Sequence, residues 1–333
     1  MIISSSSNQK ILPSRRSFIK SAGIAAGSAA LTGLLPGCTG VPKQPVKWKN
    51  MPLSLRFKPY ELQLRHVFTL AGSSRTTTQD ILTELEWNGI IGYGEASLPP
   101  YLAENRESVS KFLSGLNLGQ FNDPLLVEDI MDYVDGTAAA NHAAKAAVDI
   151  ALHDLAGKVL GQPWHRMWGL NPADTPVTSF TIAIDTPEAV KEKTREASDF
   201  KILKVKLGRG DDREMIESVR AVTEVPLCVD VNQGWTNREQ ALELCQWLAQ
   251  KGVVFVEQPM AKTLKDDIAW LTERSPLPII ADEAVQTSDD VLTCHGVYSG
   301  INIKLMKCGG LRAARKMISL ARALGMKVMI GCM

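Results

Sequence analysis

The 333-residue sequence lacks several features that mark particular classes of protein. No two of its six cysteines form a CxxC pair, so the spacing of common zinc sites is absent. The formal net charge is only +1, and without a basic excess nucleic-acid binding is not indicated. Charged residues make up 22% and hydrophobic residues 45%, a globular composition that excludes a largely disordered chain.

A hydrophobic run long enough to cross a bilayer is missing from the N-terminus. The apolar stretch at residues 21–35 contains 15 residues, fewer than the roughly 20 that a membrane-spanning helix needs. Arg15 and Arg16 precede it, and a basic segment before a short apolar segment is typical of a secretory signal. The paired arginines resemble a twin-arginine signal, and Leu34-Leu35-Pro36-Gly37-Cys38 resembles a bacterial lipobox.

These N-terminal features predict an exported protein that is anchored to a membrane. We expect residues 1–37 to be a twin-arginine signal peptide and residues 38–50 to be a tether. Acyl chains on Cys38 would hold the protein on the periplasmic side of the cell envelope. A plain cleaved signal and a chance apolar N-terminus are the alternatives.

The rest of the chain falls into two parts with different patterns. Residues 53–95 alternate as strands do, and Asn88-Gly89 indicates a two-residue hairpin turn. Helical patterns follow up to Leu160, so residues 51–172 are assigned to an α+β domain. After that, seven short β-rich runs begin about every 25 residues, with amphipathic helical stretches between them.

The alternating second part, residues 173–333, predicts a parallel sheet with a helix covering each strand. Gly208-Arg209-Gly210 lacks the third glycine of a dinucleotide-binding fingerprint, so a (β/α) barrel is favoured over a doubly wound sheet. A closed barrel of this type has eight strands. Because Met333 ends the seventh, we expect an eighth strand and its helix beyond it.

Charged residues stand at the carboxyl ends of the strands, where barrel enzymes hold their catalytic groups. Lys204 and Lys206 lie on one face of the second strand, since side chains alternate along a strand. The next three strands end in Asp230, Glu257 and Asp282. Converging carboxylates repel one another unless a cation lies between them, and an all-oxygen ligand set suits Mg²⁺.

Two further strand-end residues complete the candidate site. Lys304, on the sixth strand, would approach from the side opposite Lys206. Thr181, on the first strand, is either a substrate contact or a structural residue. Two amines on opposite faces of a metal-bound carboxylate could remove and return its α-proton, and the divalent ion would stabilise the enolate.

At these residues the sequence resembles the enolase superfamily, and within it the muconate-lactonizing subgroup. The resemblance covers residues 53–333 and rests on these motifs: Lys204-Val205-Lys206, Asp230-Val231-Asn232, Val256-Glu257-Gln258-Pro259, Ala281-Asp282-Glu283, Lys304 before Cys308-Gly309-Gly310, and Gly92-Tyr93-Gly94-Glu95-Ala96. It implies an α/β fold, a modified (β/α)₇β TIM-type barrel whose mouth is covered by an N-terminal α+β capping domain. Cap loops near residues 68–78 and 98–104 would line the specificity pocket.

The resemblance also implies a role for each charged residue. Asp230, Glu257 and Asp282 would bind Mg²⁺, Lys206 and Lys304 would be the two acid/base catalysts, and Lys204 would contact the substrate carboxylate. These roles agree with the chemistry that the strand-end residues suggest.

Within the subgroup the chain looks most like dipeptide epimerases of the L-Ala-D/L-Glu type. The motifs behind this are Ser74-Arg75-Thr76-Thr77-Thr78 and Ile330-Gly331-Cys332-Met333. The implied activity is Mg²⁺-dependent epimerisation of dipeptides in murein peptide metabolism, and Arg75 could pair with an acidic substrate side chain. The Asp-x-Asp motif that such enzymes carry on the final strand would lie beyond Met333.

Several alternatives remain open at this point. N-acyl amino acid racemases, cycloisomerases and o-succinylbenzoate synthases share such a site, and only their substrates separate them. A non-catalytic peptide-binding lipoprotein is an alternative of another class. The sequence leaves the oligomeric state open, with a homo-oligomer among the choices.

Overall fold

The computed structural model describes residues 49–70, 72–99 and 103–333. The expected signal peptide (residues 1–37), Cys38 and nearly all of the expected tether lie outside these residues, as do parts of both cap loops. Within the described part of the chain, no helix is long and apolar enough to cross a membrane. The five cysteines of this part are free thiols.

The N-terminal part of the described chain contains a three-stranded antiparallel sheet in the order β1-β2-β3. Its strands are β1 (Ser54–Thr69), β2 (Ser74–Trp87) and β3 (Ile90–Leu98). Asn88 and Gly89 join β2 to β3 with φ angles of 51° and 79°. Two successive positive φ angles are typical of a type I′ turn, whose twist matches that of the strands. The predicted hairpin is therefore confirmed.

Four helices follow the sheet: α1 (Arg106–Ser114), α2 (Val127–Thr137), α3 (His142–Leu160) and α4 (Trp164–Met167). Helix α3 lies directly against β3. The two backbones are so close that a Cβ atom built on Gly94 would be 2.1 Å from the carbonyl oxygen of Ala147. The Thr83 hydroxyl donates to the same carbonyl at 3.1 Å. Small residues on both elements permit this approach, and sheet and helices share one apolar core.

The C-terminal part is a parallel sheet of seven strands, which confirms the number predicted. The strands are β4 (Phe180–Ile182), β5 (Leu203–Lys206), β6 (Leu227–Asp230), β7 (Val253–Glu257), β8 (Ile279–Ala281), β9 (Gly300–Ile303) and β10 (Lys327–Ile330). Seven helices accompany them: α5 (Pro187–Glu196), α6 (Asp212–Arg220), α7 (Arg238–Gln250), α8 (Lys265–Arg274), α9 (Ser288–Cys294), α10 (Leu305–Cys308) and α11 (Leu311–Ala323).

The strands follow one another across the sheet in sequence order, as in a TIM-type barrel. The sheet is a curled half-barrel, and with the antiparallel sheet it forms the capped α/β architecture expected from the sequence. Within the described residues β4 and β10 are its two edges. Closure by an eighth strand stays a prediction, and so do the domain limits at residues 51–172 and 173–333.

Neighbouring strands are in register at their carboxyl ends. Lys206 pairs with Asp230, and Asp230 pairs with Glu257. Strands β8 and β9 end one residue before Asp282 and Lys304. A small buried apolar cluster fills the interior beneath these residues. Cys228, Phe255 and Ile280 lie two positions before Asp230, Glu257 and Asp282, and Met329 on β10 completes the cluster. Since side chains alternate along a strand, the charged row stands above this apolar floor.

Candidate active site

The strand ends bring six of the expected site residues into one cluster. They are Lys204, Lys206, Asp230, Glu257, Asp282 and Lys304, and none is more than 8% exposed. Buried charges of this kind are tolerated only when they are paired, so their contacts define the site.

Three carboxylates form the centre of the cluster. One oxygen each of Asp230, Glu257 and Asp282 lies within 4.8 Å of the others. The side chains come from three neighbouring strands and are at most 2% exposed. Hard carboxylate oxygens that converge in this way are ligands that Mg²⁺ prefers. The donor set therefore fits the divalent cation that the sequence predicts.

Two lysines on β5 hold the first carboxylate. The Lys206 ammonium donates to Asp230 Oδ2 at 2.7 Å and to Asn232 Oδ1 at 3.0 Å. The Lys204 ammonium lies 2.8 Å from the same Asp230 oxygen and 2.7 Å from Glu257 Oε2. Burial opposes ionisation of Asp230, but the two ammonium groups outweigh it and hold the pKa of this carboxyl below its usual range.

Two lysines that follow β9 hold the third carboxylate. The Lys304 ammonium donates to Asp282 Oδ2 at 2.8 Å, and the Lys307 ammonium donates to Asp282 Oδ1 at 2.6 Å. Burial opposes ionisation here too, but Lys307 and Lys304 together lower the pKa of Asp282. Lys206, on β5, and Lys304, directly after β9, thus stand at opposite ends of the carboxylate row, with β6, β7 and β8 between them.

The remaining carboxyl groups of the site respond to the same charges. Burial, followed by the charge of Asp230, raises the pKa of Glu257. Burial and the charges of Asp282 and Asp230 raise the pKa of Glu283 to about 7. Glu283 accepts a hydrogen bond from Asn232 Nδ2 at 3.2 Å, and its other oxygen is buried without a partner. Burial and the crowding of carboxylates therefore raise the pKa of both groups.

A cavity of about 900 Å³ opens above the cluster. Cap residues Phe68 and Arg75 line one side of it, and Thr181 and Lys204 line the barrel side. The Arg75 guanidinium lies 5.4 Å from the centroid of the Phe68 ring. Ligand sites commonly enclose about 300–1,000 Å³, so the cavity can take a ligand as large as a dipeptide. Arg75 and Thr181 both line this cavity, and their roles as substrate contacts stay predictions.

The structure adds contacts that the sequence analysis missed. Asn302 Nδ2 donates to Glu257 Oε1 at 2.8 Å, and Gln258 Oε1 accepts from the Asp282 backbone N–H at 2.9 Å. Asn302 lies two residues before Lys304 on the same face of β9, so strand alternation could have found it. Lys307 lies in the short helix α10, where strand alternation does not apply.

Both parts of the chain match known protein families. Residues 57–169 match the mandelate racemase / muconate lactonizing enzyme N-terminal domain. Residues 186–333 match the enolase C-terminal domain-like family. Together the two matches cover most of the described residues.

Individual proteins are similar over most of their length. The chain is 54% identical to the L-Ala-D/L-Glu epimerase of Bacteroides thetaiotaomicron over 330 residues, which are 97% of this chain and 85% of that protein. A dipeptide epimerase from Enterococcus faecalis V583, solved with Mg and L-Leu-L-Tyr, superposes with a TM-score of 0.78 at 29% identity, covering 85% and 83% of the two chains. A substrate-liganded L-Ala-D/L-Glu epimerase from Bacillus subtilis also gives 0.78, at 28% identity, covering 85% and 82%.

Proposed function

The chain belongs to the mandelate racemase / muconate lactonizing enzyme group of the enolase superfamily, and we propose that it epimerises dipeptides of the L-Ala-D/L-Glu type. The enzyme is an isomerase that uses Mg²⁺. The observation that carries the proposal is the placement of Lys206 and Lys304 at opposite ends of three buried carboxylates. A pair of amines in this arrangement suits proton transfer on both faces of one carbon atom.

Each lysine of the pair has one part in the reaction. One of the two amines removes the α-proton of the C-terminal residue of the dipeptide, and the ammonium opposite returns a proton to the other face. Lys204, on the same face of β5 as Lys206, holds the substrate carboxylate by charge. When bound by Asp230, Glu257 and Asp282, Mg²⁺ supplies the positive charge that stabilises this carboxylate as the α-proton leaves.

The cap supplies the selection of the substrate. Arg75, at the start of β2, lines the cavity and provides a guanidinium for an acidic side chain, such as that of glutamate. Thr181, in the middle of β4, lines the same cavity and offers a hydroxyl group to the peptide backbone.

Proton NMR tests the activity directly. The protein is incubated with Mg²⁺ and either L-Ala-L-Glu or L-Ala-D-Glu, and the signals of the two diastereomers are followed. We expect each diastereomer to convert to the other, and more slowly when L-Ala-L-Leu replaces the acidic dipeptide. Turnover of only N-acyl amino acids or of a cycloisomerase substrate would contradict the proposed substrate. Tight dipeptide binding with no turnover would point to a binding protein.

We propose further that the enzyme is exported by the twin-arginine route and held on the periplasmic side of the cell envelope by lipid on Cys38. The supporting observations are Arg15-Arg16 and the lipobox-like residues 34–38. An envelope protein would encounter murein-derived peptides that contain L-Ala-D-Glu.

Labelling with a radioactive fatty acid tests the anchor. Cells that express the wild-type protein should show label on it and retain it in the membrane fraction. Cys38→Ser should abolish the label and release the protein, whereas Cys332→Ser, at an exposed cysteine, should change neither. Equal labelling of the wild type and Cys38→Ser would contradict the anchor.

A further inference from the structure

Lys307 is a buried lysine of the site that has no role in the proposed proton transfer. It is 5% exposed. Its ammonium donates to two oxygens of Asp282, to Oδ1 at 2.6 Å and to the backbone oxygen at 2.5 Å. A third acceptor, the backbone oxygen of Asn302, lies at 3.2 Å. An ammonium group has three N–H donors, so these three acceptors use all of them. Lys307 is therefore held in place and has no N–H left for a substrate.

The two oxygens of Asp282 are divided between two lysines. Lys307 takes Oδ1, and Lys304 takes Oδ2 at 2.8 Å. In the proposed reaction Lys304 turns from Asp282 toward the substrate carbon atom. Removing a counter-charge from a carboxylate that is 2% exposed is energetically costly. Lys307 would then still neutralise Asp282, because it contacts Oδ1 and is anchored by the backbone oxygens of Asp282 and Asn302.

At the other end of the site, one carboxylate oxygen is shared by two lysines. Lys206 shares Asp230 Oδ2 with Lys204, at 2.7 Å and 2.8 Å. Each amine of the proposed pair thus shares its carboxylate with a second lysine. The second lysine is Lys204 on β5 at one end of the site and Lys307 in α10 at the other.

We propose that Lys307 is a positioning residue that fixes Asp282 and offsets its charge, so that Lys304 alone can turn to the substrate. This inference rests on the proposed function, in which Lys304 acts on one face of the α-carbon. Loss of Lys307 should therefore slow proton transfer on the Lys304 face and leave the Lys206 face nearly unchanged. It should also weaken Mg²⁺ binding, because Asp282 is no longer held by Oδ1.

Lys307→Met tests the inference with two readouts. In D₂O with Mg²⁺, exchange of the α-proton is followed by NMR for each dipeptide epimer separately. We expect exchange from the epimer that faces Lys304 to slow by about 10- to 100-fold, as for other residues that support a metal ligand, and exchange from the other epimer to slow less than about threefold. Lys304→Ala identifies which epimer is which.

Calorimetric titration with Mg²⁺ in the absence of substrate is the second readout. We expect the Kd of Lys307→Met to rise by about tenfold. Simple removal of a positive charge would instead tighten cation binding, and that result would overturn the inference. This readout decides the matter even if the wild-type protein shows no epimerisation, an outcome that would count against the proposed function alone.

Lys145→Met is the matched control. Lys145 is 4% exposed, and its ammonium donates to the backbone oxygens of Ala138 at 2.5 Å and Asp135 at 3.2 Å, neither of which belongs to the site. It should lower stability without changing the ratio of the two exchange rates or the Mg²⁺ affinity.

Lys307→Arg, which keeps the charge, should recover part of the lost exchange rate and part of the lost Mg²⁺ affinity. Equal slowing on the two faces in Lys307→Met would overturn the inference.

Discussion

Each carboxylate of the metal cluster has a buried ammonium group within hydrogen-bonding distance. Lys204 reaches Asp230 and Glu257, and Lys304 reaches Asp282. Buried ion pairs contribute little to stability compared with apolar side chains of similar volume, because removing the charges from water costs several kcal/mol for each ion. The density of paired charges at one end of the barrel therefore indicates chemistry rather than stabilisation.

Glu283 is the carboxyl group of the site whose ionisation should be measurable near neutral pH. Its pKa is raised to about 7 by burial and by the charges of Asp282 and Asp230. In the metal-free protein the folded state keeps a proton that the unfolded state has lost above about pH 4.5, so the free energy of unfolding should fall as the pH rises from 5 to 7.

Thermal denaturation in EDTA at several pH values measures this fall. Glu283→Gln should make the melting temperature less dependent on pH in that range. Glu243→Gln, on the exposed surface of α7, should leave the wild-type dependence unchanged. A wild-type melting temperature that rises steadily from pH 5 to 7 in EDTA would contradict the raised pKa.

The residues at the strand ends could be predicted because parallel strands bring their carboxyl ends to one edge. Lys206, Asp230 and Glu257 are neighbours in register, as that rule requires. Lys307 and Gln258 could not be predicted. Their contacts depend on a short helix and on a backbone φ of 36° at Gln258, which no residue pattern specifies.

The packing of β3 on α3 shows how small residues set the distance between two elements. A Cβ atom on Gly92 would lie 2.1 Å from the carbonyl oxygen of Ala151, just as one on Gly94 would from Ala147. These distances are far below van der Waals contact, so the helix could not remain where it is if either glycine were larger.

Gly94→Ala should therefore destabilise the protein by about 1–3 kcal/mol or more, the usual cost of overpacking a core. Urea denaturation measures the change. Gly136→Ala, in α2, is the matched control, since its added Cβ would meet no atom within 4 Å. It should be neutral or stabilise by about 0.5–1 kcal/mol through better helix propensity. Equal stability of the two variants would show that β3 and α3 do not pack as described.

The type and order of the elements could largely be read from the sequence. Alternating polar and apolar residues marked the strands, and Gly161 ended the long helix at Leu160. The start of that helix was less predictable. Helical spacing suggests a beginning near Ala138, but Asn141 adopts a left-handed conformation with φ of 67° and α3 begins at His142.

The sheet-and-helix cap and the barrel are joined through α3 and the segment that follows β9. Asp149, fully buried in α3, accepts hydrogen bonds from the backbone N–H groups of Leu311 and Arg312 at the start of α11. A carboxylate at a helix N-terminus satisfies free N–H groups and interacts favourably with the helix dipole. Met306 of α10 belongs to the apolar core of the cap. The cap is therefore attached beside Lys304 and Lys307.

Asp149→Ala should weaken this junction. Backbone N–H groups of α11 would lose their partner, which costs about 1–3 kcal/mol. Chemical denaturation measures the loss, and Mg²⁺-dependent activity should fall with it because the cap lines the cavity. Glu243→Ala, on the exposed surface of α7, is the control, and it should cost less than about 1 kcal/mol. An Asp149→Ala protein as stable as Glu243→Ala would contradict the role of the junction.

In the proposed reaction Lys206 and Lys304 serve opposite faces of one α-carbon, and stereospecific deuterium exchange distinguishes the two faces. Lys206→Ala and Lys304→Ala are each incubated in D₂O with Mg²⁺ and with each epimer of Ala-Glu. We expect that neither variant epimerises the dipeptide. Each should still exchange the α-proton of a single epimer, and the two variants should exchange opposite epimers. Full epimerisation by either variant, or exchange of the same epimer by both, would contradict the two-lysine site.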